Sequence, residues 1–385
     1  MAMSSISRKE YLREVRRLYR KAKTKKAKGE LVSNVVDITG MHRKAVLRLL
    51  HRKPTGLRKQ PETRGRQKRY DDAFHAALLI CWHATNDICA ERLQPFLPEL
   101  VPKLEDLGEL EIADDTRYLL TTASITTVYR HLKRAKRRSV VPLGTTKPGN
   151  LLKSQIAIRY GRWDEDNPGW LESDTVAHGG DNAEGQFIHS YDFVDIATAW
   201  TEQVATMGMG ERATVAGLQE MQGRFPFPIL GIDSDNGGEY INHHLYTYCK
   251  QERITFTRSR RYKKNDNAHV EQKNWEAIRK IVGYARLDTE EQLTILNELY
   301  RGPLSLYLNF FQPTRKRKLK ETDQATGKYR KYYFEAMTPY QRVMAHPLMP
   351  EATKAMLQSE YNQLNPVKLL AEIRTLLTQL GKTLR

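Results

Sequence analysis

Residues 227–242, FPILGIDSDNGGEYIN, change character twice within a short span. The apolar run FPILGI reads as a buried strand, and Asn236-Gly237-Gly238 reads as the turn that ends it. Asp235 therefore falls at the C-terminal end of a strand, at the rim of a sheet, where the Asn-Gly-Gly turn keeps bulk away. Asp233 projects from the same strand face two positions earlier and is the rival candidate. The adjoining turn favours Asp235.

Working outward, WLESDTVAH (170–178), GQFIHSYDFVDI (185–196) and TAWTEQVATM (198–207) are rich in β-branched and aromatic residues and read as three successive strands. A helix is expected over 211–222, before the strand just described. Helix 239–252 and strand 254–257 follow it. A long helix starts near Asn267 and another covers about 289–309. The order βββαβαβαα predicts a mixed sheet covered by helices.

Three carboxylates stand out on this layout: Asp174 inside the first strand, Asp235 at the end of the fourth, and Glu271 in the first turns of the long helix. With 45 acidic residues in the chain, their spacing alone is weak, so placement carries the weight. Two carboxylates at a sheet rim and a third projecting from a helix across it make a hard, oxygen-only cage of the kind that suits Mg²⁺. Two such ions about 3.5–4 Å apart can assist both oxygens of an in-line displacement at phosphorus. Glu172 and Asp192 lie near the rim and read as polar neighbours. His178, four residues after Asp174 on the same strand face, reads as a hydrogen-bonded structural histidine.

The phrases LESDTVAH around Asp174, GIDSDNGGEYIN around Asp235 and NDNAHVEQKNWEAIRK around Glu271 have a D,D-35-E spacing. Together they resemble the RNase H-like catalytic core of retroviral integrases and bacterial insertion-sequence transposases of the DDE class. YLNFFQP (307–313) resembles the stretch that closes this core in bacterial relatives. The resemblance implies an α/β core, a mixed five-stranded sheet flanked by helices, over 165–312. It implies that Asp174, Asp235 and Glu271 are at once catalytic and metal-ligating, holding two Mg²⁺ (or Mn²⁺) ions per active site. The implied activity is DNA cleavage at the 3′ ends of a mobile element and strand transfer. Transposon ends and target DNA are the implied partners, with a homo-oligomer assembled on them. The His-His-Cys-Cys zinc module of retroviral integrases is missing, since the first cysteine is Cys81 and no CxxC follows. The insertion-sequence branch is the better match. A metal-dependent nuclease on the same core, or a domesticated DNA-binding regulator, are the alternatives.

Charge points to the same kind of partner. Residues 1–70 hold 22 Lys and Arg against 5 Asp and Glu, a net +17 out of +18 for the whole chain. A one-sign block of this size is the footprint of a polyanion partner. Within it, ELVSNVVDITGMHRKAVLRLLHR (30–52) carries apolar residues at helical spacing on both sides of Thr39-Gly40, as in a helix-turn-helix. Its second helix would present His42, Arg43, Lys44 and Arg48 to DNA. A helix over 124–138 exposes Arg130 and Arg134, which serve either a second DNA-reading helix or a solvated basic face. RSRRYKK (258–264) offers Arg258, Arg260, Arg261, Lys263 and Lys264 as a phosphate-gripping loop. Asn274 stands one helical turn after Glu271 and shares its active-site face, while Lys273 and Arg279 read as exposed helix charges able to meet phosphate.

The expected organisation is therefore a basic helix-turn-helix region (1–56), a basic linker (57–70), a helical module (71–138) and a second linker (139–164). The catalytic core (165–312) and a small C-terminal region (313–385) follow. In that last region two basic stretches flanking ATG suggest a hairpin, and helices are expected over 350–363 and 366–383, the second capped by Asn365. Nothing approaches the ~18 uninterrupted apolar residues of a membrane span, and MAMSSISRKEYLREV lacks the apolar core of a secretory signal. Cys81, Cys89 and Cys249 are too scattered for a disulfide framework. A cytoplasmic, DNA-associated and prokaryotic protein is the expectation.

Overall fold

The expected strands form, and their connections dictate one mixed sheet. In the computed structural model, which describes residues 5–51, 69–135, 157–158, 166–181, 184–208, 210–234, 243–258, 278–322 and 329–384, strands β2 (Trp170–Ala177), β3 (Ile188–Asp195) and β4 (Thr201–Met207) follow one another as an antiparallel meander. Strands β5 (Gly231–Ser234) and β6 (Thr255–Arg258) then add in parallel beyond β2. Parallel neighbours need long crossovers. These are supplied by α8 (Glu211–Gln222) and α9 (His243–Gln251). With β1 (Ala157–Ile158) included, the full order is β1-β6-β5-β2-β3-β4. This sixth strand is a two-residue piece, paired in parallel with β6. It comes from a stretch read as linker, where so short a strand leaves no periodic signal.

Small residues set the spacing of these layers. A Cβ on Gly217 of α8 would lie 3.0 Å from the Val204 side chain of β4. A Cβ on Gly231 would lie 2.3 Å from the Trp170 ring. The opposite side of β4 meets α10 (Glu290–Leu299), a wide turn Tyr300–Leu304 and α11 (Ser305–Phe311). One continuous helix over 289–309 is thus corrected to two. The backbone leaves helical geometry at Gly302, and Pro303 has no N–H to donate. As an edge strand, β4 is closed by side chains. Asn297 Oδ1 accepts from Ala205 N (2.8 Å) and its Nδ2 donates to Ala205 O (3.0 Å). Asn309 does the same at Thr201 N and O (2.9 Å each).

Helices α4 (Asp72–Ala84), α5 (Ala90–Asp106), α6 (Asp114–Thr122) and α7 (Ile125–Ala135) share one continuous apolar core with the sheet. Tyr307 donates to Ala84 O and Gln312 to Thr85 O, tying α11 to the end of α4. The strands β7 (Arg317–Thr322) and β8 (Tyr329–Tyr333) form an antiparallel hairpin. The chain ends in α12 (Pro339–Ala345), α13 (Glu351–Gln363) and α14 (Pro366–Lys382), the last capped by Asn365.

The chain divides into two compact units, Met1–Arg69 and Tyr70–Arg385. The first has its own small core, in which Val15 and Tyr19 of α1 (Ser5–Lys21) meet Val32 and Val35 of α2 (Lys25–Thr39) and Val46 and Leu50 of α3 (Arg43–His51). Thr24 caps α2, and Gly40 ends it at φ +65°, a left-handed conformation that suits glycine. Among the described residues no helix is long and apolar enough to cross a membrane.

Candidate active site

Register decides which side chains share a face. Asp174 pairs with Asp192 across β2 and β3, and Asp192 with Gln203 across β3 and β4. On the other side, Glu172 pairs with Asp233 and Ser173 with Ser234. Glu172, Asp174, Asp192 and Asp233 thus line one face of the central strands. Asp174 is half-buried and the other three are buried.

Two of the buried acids, Asp192 and Asp233, accept from hydroxyl or amide donors, which offset the cost of desolvating a carboxylate. Asp192 Oδ1 accepts from Thr201 Oγ1 and Gln203 Nε2, both at 2.8 Å. Asp233 Oδ1 accepts from Thr257 Oγ1 of β6. Asp174 Oδ1 accepts from the backbone N–H of Thr175 (2.8 Å). Asp174 is therefore the most accessible carboxylate of the face, on a rung fixed by its buried neighbours.

His178 is the structural histidine expected, but its partners were not visible in the sequence. Its ring Nε2 meets Ser190 Oγ at 2.8 Å, and that hydroxyl meets Tyr300 OH at 2.8 Å. Burial and the nearby Arg279 guanidinium push the imidazole down to about 3, so it is neutral at ordinary pH. Burial likewise pushes the Tyr300 hydroxyl up. Arg279 corrects its reading as an exposed helix charge. It is half-buried with its guanidinium 5.0 Å from the Tyr284 ring centroid, and burial, countered by the field of Tyr284, Tyr300 and Asp174, lowers its pKa. No sequence feature separates it from Lys273; its location follows from the approach of the chain around 278–284 to the sheet.

Of the other candidates, Asp235, Glu271, Arg260, Arg261, Lys263, Lys264, Lys273 and Asn274 lie outside the described residues, as does most of the long helix expected from Asn267. Arg258 ends β6, and Arg134 lies in α7, their side chains also outside the description. Arg130 is exposed on α7. His42, Arg43, Lys44 and Arg48 are all exposed. Arg43 donates to Ser33 Oγ (3.1 Å), bridging α3 to α2. Among the described residues no group of three or more His, Cys, Asp and Glu converges as a metal site.

The uncharacterized protein y4rM of Sinorhizobium fredii (strain NBRC 101917 / NGR234) is 34% identical over 320 residues, spanning 82% of this chain and 89% of that protein. The chain belongs to the y4rM family. No family model matches it. Solved structures with similarity to this family member include the HTLV-2 integrase catalytic core domain in complex with magnesium, in a dimeric form. That match has 13% identity and a TM-score of 0.29, and covers 42% of this chain and 92% of the other. The BIV integrase catalytic core domain matches at 14% identity and a TM-score of 0.28, covering 45% and 91%. Superpositions this loose decide nothing about the fold, which rests on strand order and register.

Proposed function

We propose that the chain is a DDE-class DNA transposase of the insertion-sequence type, built on an RNase H-like core. It nicks the 3′ ends of a mobile element and joins the freed 3′ hydroxyls to a target strand. The observation that carries the reading is the parallel register of β2 and β5. Ser173 pairs with Ser234, and the next residues along the chain are Asp174 and Asp235. Two acids far apart in sequence thus follow directly from a hydrogen-bonded pair, as a shared metal site at the sheet rim requires.

The donor set fits a hard divalent cation, because the accessible acid stands on a face of carboxylates on which the buried Asp192 and Asp233 accept from neutral donors. Asp174, Asp235 and Glu271 would hold the ions, Mg²⁺ or Mn²⁺, two per site. Bound there, such ions supply Lewis acidity to the attacking and leaving oxygens at phosphorus. Asp192, anchored by Thr201 and Gln203, fixes the rung that carries Asp174. His178, kept neutral, adds no charge that would compete with the cations. Arg279 stands within the electrostatic reach of Asp174 and balances part of the acidic charge.

The helix pair α2–α3, used as a helix-turn-helix, would read the element's terminal DNA through His42, Arg43, Lys44 and Arg48. Arg130 and Arg134, the basic run 258–264, Lys273 and Asn274 would grip further phosphates. Two ends handled together call for a dimer or larger assembly on DNA.

The test is incubation with Mg²⁺ and candidate end DNA taken from the sequence on either side of the gene, alongside Asp235→Asn and Glu271→Gln. Strand-transfer products from the wild type alone support the proposal. Cleavage without joining would make the protein a nuclease, and binding without cleavage a regulator; either overturns it.

A further inference from the structure

The β7–β8 hairpin stands apart from the acidic face and shows a surface that packing does not explain. Residues 315–334 hold eight Lys and Arg against two Asp and Glu. At its base three consecutive rings are exposed: Tyr332 by 41%, Tyr333 by 40% and Phe334 by 55%. Consecutive strand residues alternate faces, so Tyr332 and Tyr333, the last two residues of β8, lie on opposite sides of the ribbon, and Phe334 follows them directly. A ribbon that displays rings on both faces cannot bury them by lying down on the body of the protein. Exposed apolar surface of this kind marks an interaction site.

The rings are interleaved with cations. The Arg315 guanidinium lies 4.4 Å from the Tyr333 ring centroid and Lys318 Nζ lies 5.6 Å from that of Phe334. Arg317 pairs with Tyr333 across the ribbon, and Arg317, Lys318, Arg330 and Lys331 are exposed beside the rings. The core of a protein–protein contact is depleted of charge, whereas this surface combines ring faces with a dense positive field. That combination matches a polyanion carrying planar groups. In a duplex the bases stack on one another and offer only their edges to a ribbon, while an unpaired strand offers its base faces.

We propose that the β7–β8 hairpin binds unpaired nucleic acid, with bases stacking on Tyr332, Tyr333 and Phe334 and phosphates meeting Arg315, Arg317, Lys318, Arg330 and Lys331. The site is tolerant of sequence, since every base has a ring face. It stands independently of the carboxylate chemistry and survives if that reading fails.

The experiment uses the full chain and a single-stranded oligonucleotide containing 5-iodouracil, with the cross-linked peptide mapped by mass spectrometry after irradiation. The cross-link is expected within residues 329–334. In parallel, fluorescence anisotropy compares single-stranded and duplex oligonucleotides of the same sequence. The double variant Tyr332→Ala/Phe334→Ala is expected to lose about tenfold or more in single-strand affinity with duplex affinity nearly unchanged. Arg317→Gln/Lys318→Gln is expected to weaken both and to flatten their salt dependence. Cross-links only outside the hairpin, equal losses for both oligonucleotides, or an aromatic variant that alters only self-association would overturn the proposal. Wild-type cross-link mapping decides even if a variant folds poorly.

Discussion

Asn309→Ala should destabilise the sheet far more than a polar substitution of this size ordinarily does. Asn309 is fully buried and supplies both partners to Thr201 at the outer edge of β4, accepting from its N–H and donating to its C=O, each at 2.9 Å. Truncation leaves two buried backbone groups without partners, at about 1–3 kcal/mol each, so a total of about 2–6 kcal/mol is expected. The loss also reaches the acidic face, because the Thr201 hydroxyl is one of the donors that hold Asp192 opposite Asp174. Urea unfolding followed by tryptophan fluorescence is a suitable assay, since buried Trp200 is the residue next to Thr201. The exposed Asn362 is the control, and Asn362→Ala should stay within about 0.5 kcal/mol of the wild type. An Asn309→Ala shift no larger than that control's would refute the idea that side chains close this edge.

His178→Asn should flatten the acid limb of the stability curve. The folded imidazole is depressed to about 3, so below the unfolded value of ~6.5 the unfolded chain takes up a proton that the folded chain refuses. Stability from this group is present above pH ~6.5 and is lost as pH falls toward 3, at up to about 1.4 kcal/mol per unit, and the wild-type minus variant difference should show that slope. Arg279→Gln removes a positive charge that opposes protonation of His178, so the imidazole pKa should rise, as read by NMR titration; no movement would place the guanidinium away from the sheet. Gly231→Ala forces a methyl against the Trp170 ring and should cost about 1–3 kcal/mol in the same urea assay, with a change in tryptophan emission.

The strands were readable because each carries β-branched and aromatic runs bounded by turn residues, and the sheet order follows from which connections are short. Helix α5 was not fully readable. Proline ordinarily ends a helix, so the three prolines inside the helical module expected over 71–138 read as breaks, while the helix runs on to Asp106 through Pro95, Pro98 and Pro102. Pro98 and Pro102 are exposed, whereas Leu93, Phe96, Leu97, Leu100, Val101 and Leu104 are buried. The carbonyls that lose an N–H partner thus face water, and the packed stripe holds the helix together. In α1 the apolar positions Val15 and Tyr19 are diluted by Arg and Lys, which hides the period.

The acidic face was legible only in part. Asp174 and its strand could be read from WLESDTVAH. The burial of Asp192 and Asp233, and the link from His178 through Ser190 to Tyr300, join residues separated by up to 110 positions. Such contacts depend on register and on how α10 and α11 cross the sheet, which no local pattern encodes. Arg279 illustrates the same limit, since charge on a helix says nothing about the neighbour it will meet.

The central claim, that Asp174, Asp235 and Glu271 converge on divalent cations, can be read directly by iron-mediated cleavage of the polypeptide. Fe²⁺ substituted for Mg²⁺, with ascorbate and peroxide, cuts the backbone near bound metal. The account predicts cuts close to residues 174, 235 and 271 that excess Mg²⁺ and Asp174→Asn both suppress. Cleavage confined to other parts of the chain, or unchanged in Asp174→Asn, would contradict it.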